Sequence, residues 1–115
     1  MLNDMSQELS DFILVSKYAK HNDRLKRRET WGEAVGRSYR MHAKKYPHLP
    51  QEYQDKLSWA FGKVLQMEDL PSMRSLQFGG IAIEAKNARM FNCSVRHIDS
   101  LRSFAESFWL LLCGC

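Results

Sequence analysis

Cysteine and histidine are the residues best able to do chemistry in this chain, and their spacing separates them. His21, His42, His48 and His97 form no metal-spaced pair with one another or with a cysteine, so no zinc pattern is present. Cys113 and Cys115 make a C-x-C pair with no further ligand nearby, at a helix C-terminus whose dipole disfavours a thiolate. Cys93 is different. It lies in Arg89-Met90-Phe91-Asn92-Cys93-Ser94, flanked by small polar groups, after a loop that reads Leu70-Pro71-Ser72-Met73-Arg74-Ser75-Leu76-Gln77-Phe78-Gly79-Gly80. A buried structural cysteine is the commoner fate of such a residue. A thiol flanked by small polar groups, just after a loop built for close approach, is also a site-like arrangement.

The elements that must position Cys93 follow from local pattern. Pro71 fixes its own φ and biases Leu70 towards extended geometry, which stops any helix from running through this point. Gly79-Gly80 permits a sharp turn or the close approach of a ligand. Arg89 to Ile98 alternates as a short buried strand, with Met90, Asn92 and Ser94 on one side and Phe91, Cys93 and Val95 on the other. A helix follows, N-capped by Asp99 or Ser100, with Leu101, Phe104, Ala105, Phe108, Leu111 and Leu112 inward. Its last turn, Trp109 to Cys113, is apolar all round, as in a helix buried on every side.

Upstream, three helices are predicted. The first spans Gln7 to Lys20, with Ser6 or Ser10 as cap and Leu9, Phe12, Ile13, Val15 and Ala19 as its stripe. The second starts at Thr30-Trp31-Gly32-Glu33, a capping box, carries Trp31, Val35, Tyr39, His42 and Tyr46 on one face, and stops at Pro47. His42 on that face reads as a hydrogen-bonded packing residue. The third runs from about Pro50 to Met67, with Tyr53, Leu57, Phe61, Val64 and Leu65 apolar. Short connections predict that the three form an antiparallel cluster.

Composition bounds the function. With 44% apolar and 26% charged residues the 115-residue chain is globular in type and amounts to one domain or less. Its polar, acidic start is unlike a signal peptide, no run is long enough to span a bilayer, and an odd cysteine number speaks for a reducing cytoplasm. The run Lys17 to Arg28 is strongly basic; it serves either as a solvated loop or as a polyanion contact. Tyr18 is its only aromatic, which argues against single-strand binding, so nucleic acid is not expected as a partner.

Taken together, Pro71-Ser72-Met73-Arg74-Ser75-Leu76-Gln77-Phe78-Gly79-Gly80 and Phe91-Asn92-Cys93-Ser94 resemble the start of the catalytic barrel of ribonucleotide reductases. The wording is closest to the adenosylcobalamin-dependent (class II) branch. The resemblance extends upstream through Lys17-Tyr18-Ala19 and Arg27-Arg28-Glu29-Thr30-Trp31, and downstream through Phe104-Ala105-Glu106 to Leu110-Leu111-Leu112. It implies an α+β fragment, with an N-terminal helical region over residues 1–69 and a truncated start of the α/β barrel, its first strand and helix, over residues 70–115.

The resemblance also implies roles. Cys93 is similar to the N-terminal member of the redox-active pair beneath the ribose. Ser72 resembles the hydroxyl residue that contacts substrate phosphate or sugar, and Asn92 the small polar residue before the cysteine. In the family a thiyl radical on another cysteine removes the 3′ hydrogen. The 2′ hydroxyl leaves as water, and the pair supplies two electrons as it becomes a disulfide. The partner cysteine, the radical cysteine, the cobalamin surface and the cysteines that accept electrons from thioredoxin lie beyond this segment in the family. The chain is therefore expected to be inactive alone, to need the remainder of the reductase, and to act on a ribonucleoside triphosphate in the cytoplasm. Cys113 and Cys115 stand where the family usually holds small residues. An intein or split gene interrupting the frame is one hypothesis for them, removed by a coding sequence that runs on without a splicing domain. Two other readings are a class I ribonucleoside-diphosphate reductase large subunit and a small basic helical module for nucleic acid or protein. The apolar last turn and the strand without a partner imply that the fold continues beyond the chain.

Overall fold

A computed structural model describes residues 2–114, with side chains from residue 5 onward. The chain is mostly helical, with one two-stranded sheet. Helix α1 (Leu2–Ile13) runs into a π-helical turn, Leu14–Tyr18. A hairpin follows, β1 (His21–Asn22) paired antiparallel with β2 (Arg27–Arg28), His21 opposite Arg28. Then come α2 (Trp31–Lys45), α3 (Gln51–Leu65), α4 (Met73–Phe78), α5 (Ile81–Ala85), a 3-10 turn (Asn87–Met90) and α6 (Leu101–Cys113). No helix among the described residues is long and apolar enough to cross a membrane.

The punctuation residues act as their chemistry dictates. The Thr30 side chain accepts from the Glu33 amide at 3.4 Å and the Glu33 carboxylate accepts from the Thr30 amide at 2.7 Å, closing the capping box that opens α2. The helix ends before Pro47, α3 begins one residue after Pro50, and no helix passes Pro71. Val35 of α2, Val64 of α3 and Leu76 of α4 form the buried cluster, with Tyr18, Trp31 and Phe61 packed against it. Tyr39 meets Phe61 edge-on, its ring centroid 5.6 Å away, and the Trp31 indole donates to the Leu65 carbonyl at 3.1 Å. His42 is a hydrogen-bonded packing residue: Nδ1 lies 2.8 Å from the Ser38 carbonyl and the ring leans on Phe61.

A largely buried ion pair fixes α4 against this core. The last carbonyls of a helix have no intrahelical donors, and their negative dipole end attracts cations. At the end of α4 those donors come from α2 and the β1–β2 region. Arg37 donates to the carbonyls of Leu76 (2.8 Å) and Gly79 (2.9 Å), Lys20 Nζ to Gly79 (2.6 Å), and Ser38 to Ser75 (2.9 Å). Glu29 holds the Arg37 guanidinium from the other side, Nη2 to Oε2 2.9 Å, with the two side chains 11% and 14% exposed. Burial pushes the Glu29 carboxyl up, but hydrogen bonds from Arg37 and the Lys20 amide, with the charges of both residues, bring its pKa below the ordinary value. Burial and the neighbouring Arg37 charge lower the Lys20 pKa, and Glu29 restores part of it.

Gly79 and Gly80 allow the approach. A Cβ on Gly79 would fall 2.3 Å from the Ser75 carbonyl oxygen, and Gly80 sits at φ +90°. The Gly80 amide donates to the Met41 sulfur at 3.3 Å. The turn's close neighbour is α2.

Four expectations are corrected. Arg89 to Ile98 is not a buried strand: residues 87–90 form the 3-10 turn, and residues 91–99 are exposed and belong to no sheet. A strand needs a neighbour for its amides and carbonyls, and the described residues present none beside it. Helix α6 forms, but Leu101, Phe104, Phe108, Leu111 and Leu112 face solvent, because only the 3-10 turn packs substantially against it. Helices α2 and α3 pair, whereas Leu9, Phe12 and Ile13 of α1 stay exposed, so a three-helix cluster is not made. Ser6 and Ser10 lie inside α1, which starts at Leu2, and cap nothing.

Two predictions follow from the buried pair and the capping box. Arg37→Met leaves Glu29 without its guanidinium partner and the Leu76 carbonyl without its donor from α2, and should cost about 3 kcal/mol or more in urea unfolding. Arg37→Lys should recover only a minor part, since an ammonium lacks the planar fork; a loss below about 1 kcal/mol for either variant would refute the assignment. The second concerns acid. The Glu33 carboxyl is held down to about 2 by the Arg27 hydrogen bond and then the Thr30 amide, against an ordinary value of 4.5. A carboxyl depressed in the folded state contributes stability above its unfolded value that is lost as pH falls through the folded one. The urea midpoint should therefore drop between pH 4.5 and about 2, with Glu29 adding in the same sense. Glu33→Gln should flatten that limb; an equally steep limb in the variant would count against it.

Candidate functional site

Cys93 belongs to the exposed segment that leaves the 3-10 turn, and its thiol is free. The segment is tied down at two points. Upstream, Arg74 of α4 donates through Nε to the Asn92 side-chain oxygen while its guanidinium stacks 5.2 Å from the Phe78 ring centroid. Downstream, Arg96 pairs with Glu106 of α6, and the Ser103 hydroxyl, fully buried, donates to Asp99 at 2.8 Å. Hydrogen bonds from Ser103 and then Ser100 hold the Asp99 carboxyl below its ordinary value. Asp99 and Ser100 thus flank the start of α6 as expected, although no side chain caps a backbone amide there. Between these ties Cys93, Ser94 and Val95 face solvent, Val95 at 99% exposure.

Ser72 occupies the N-cap position of α4, exposed, and its hydroxyl caps no amide. Of the three expected site residues, Asn92 is brought to α4 through Arg74, and Ser72 begins the same helix two residues before that arginine. Among the described residues neither Ser72 nor Asn92 bonds to Cys93. The arrangement sets hydroxyl, carboxamide and guanidinium groups along one short helix and the strand-like segment beside it. Such donors suit an oxygen-rich anion or sugar. Cys113 is a half-buried free thiol at the end of α6; Cys115 lies outside the described residues.

Sequence reasoning missed two groups. Arg74 stands inside the quoted motif, and its type alone could have marked it as the donor that joins the motif's halves. The Lys20–Glu29–Arg37 cluster has no local signal, because its members meet only once the β1–β2 hairpin brings Lys20 and Glu29 together and packs against α2. Its consequence for the basic run is direct: Lys20 points to Gly79, Arg27 pairs with Glu33 and Arg28 donates to the Ala19 carbonyl. Fewer cations remain for a polyanion, with Lys17, Arg24 and Lys26 exposed.

No family model, curated protein or solved structure matches the chain.

Exposure ranks the two thiols. Under native conditions iodoacetamide should alkylate Cys93 at least about threefold faster than Cys113, read by peptide mass spectrometry. Equal or inverted rates would mean that the segment folds back over Cys93.

Proposed function

We propose that this chain is the N-terminal segment of an adenosylcobalamin-dependent ribonucleoside triphosphate reductase of the cytoplasm, serving deoxyribonucleotide synthesis. The observation that carries the reading is the Arg74–Asn92 hydrogen bond. It joins the two stretches that bear the resemblance, Pro71–Gly80 and Phe91–Ser94, and leaves the Cys93 thiol open beside them. In this reading Ser72 and Asn92 donate to ribose or phosphate oxygens, and Arg74 holds Asn92 in place. Cys93 is one of two thiols that together give up two hydrogens, closing a disulfide as the 2′ hydroxyl departs as water. Thioredoxin returns the pair to the dithiol, and the second thiol comes from the remainder of the reductase. The exposed apolar face of α6 and the unpaired segment 91–99 support a larger barrel around them, since both lower their free energy when covered. Two clefts among the described residues, ≈ 470 and ≈ 310 Å³, are each too small for a corrin with its nucleotide arms, so no residue here is assigned to adenosylcobalamin. No step is routed through it.

The test is turnover by the native polypeptide that contains this sequence. It should reduce ribonucleoside triphosphates with thioredoxin only when adenosylcobalamin is added, and Cys93→Ser should lower that turnover at least about a hundredfold. Activity that instead needs a separate radical-generating subunit would move the chain to the class I large subunit. Full turnover by Cys93→Ser would remove the reductase reading.

A further inference from the structure

The C-terminal half of α2, with α5 and the 3-10 turn, lines an open cleft of ≈ 470 Å³. That size lies in the range of small-molecule sites, roughly 300–1,000 Å³. Buried Met41 and Ile83 line it together with Met90, Phe91 and Tyr46. Two thioethers and two aromatic rings in one lining favour a flat, polarisable body, through sulfur–aromatic and offset-stacking contacts.

The polar groups at its edge are unequal in sign. Glu84 is already neutralised, its carboxylate accepting from Lys44 Nζ at 2.6 Å in a bridge from α2 to α5. Lys45 also lines the cleft and has no ion pair among the described residues. His42 presents its other nitrogen as an acceptor when neutral, because Nδ1 must carry the proton that the Ser38 carbonyl accepts. What remains is one uncompensated cation above an apolar, aromatic-lined pocket. The geometry points to a binding site for a planar aromatic monoanion of the arene-carboxylate class, its ring between Met41 and Met90 and its carboxylate on Lys45. The site does not rest on the reductase reading. Phe91 directly precedes Asn92, so a ring lodged there packs against the segment that carries the thiol.

Titration of the full 115-residue chain, labelled with methyl-¹³C methionine, with 2-naphthoate tests this. The Met41 and Met90 methyl resonances should shift along a saturable isotherm while those of Met67 and Met73, outside the cleft, stay in place. The neutral isostere 2-naphthalenemethanol should bind about threefold more weakly, the scale of an exposed ion pair. Lys45→Ala, at an exposed position, should weaken 2-naphthoate by the same factor and leave the alcohol unaffected. Equal affinity for acid and alcohol, no effect of K45A, or Met67 and Met73 moving as much as Met41 and Met90 would each overturn the site.

Discussion

The ion pair between Arg37 and Glu29 is the constraint on which the rest of this structure depends. A guanidinium taken out of water is costly unless its donors are all engaged, and here they are spread over one carboxylate and three carbonyls. Those carbonyls belong to Tyr18, at the end of the π-helical turn, and to Leu76 and Gly79, at the end of α4. One side chain of α2 therefore gathers three separate stretches of chain. Lys20 adds a second cation at the same carbonyl of Gly79. The excess positive charge is tolerated because it sits at a helix C-terminus, where unsatisfied carbonyls concentrate negative charge.

This arrangement explains what the glycine pair is for. Read alone, Gly79-Gly80 permits either a turn or the approach of a ligand, and nothing in the neighbouring residues decides between them. The packed chain decides for the turn, with α2 as the surface approached: Ser38 and Arg37 lie where a Cβ would intrude, and the Gly80 amide donates to the Met41 sulfur. Loss of the side chain at Gly79 lets the α4 carbonyls reach Arg37. The motif that marks the candidate site is thus in part a structural motif. It fixes α4, and α4 in turn carries Ser72 and Arg74.

Legibility in the sequence follows the range of the interactions. The capping box of α2, the stops at Pro47 and Pro71 and the extent of α3 are written in a few contiguous residues, and all are found. Arg37 and Glu29 lie eight residues apart and Gly79 a further forty-two beyond Arg37, so their encounter depends on tertiary packing that no local pattern encodes. The basic run looks solvated for the same reason, although Lys20 donates to Gly79 and Arg28 to the Ala19 carbonyl. The Arg89–Ile98 alternation is the instructive failure. Period-two patterning states which faces a strand would have, while the strand itself exists only with a hydrogen-bonding neighbour. Cys93 was legible as a residue of interest, and its exposure was not.

The segment around Cys93 is extended but not loose at its ends. Asn92 is held by Arg74, and Arg96 and Asp99 are held by Glu106 and Ser103 of α6. These ties make the segment and α6 a unit that displays two unsatisfied features: an extended backbone without partners and an apolar face containing Phe104, Phe108 and Leu111. An edge of unpaired amides and carbonyls is a template for another strand, and an adjacent apolar helix face rewards whatever covers it. Both features gain from the same event, the docking of strand and helix layers. A thiol on that segment would then pass from solvent into an enclosed space with Asn92 already oriented by Arg74.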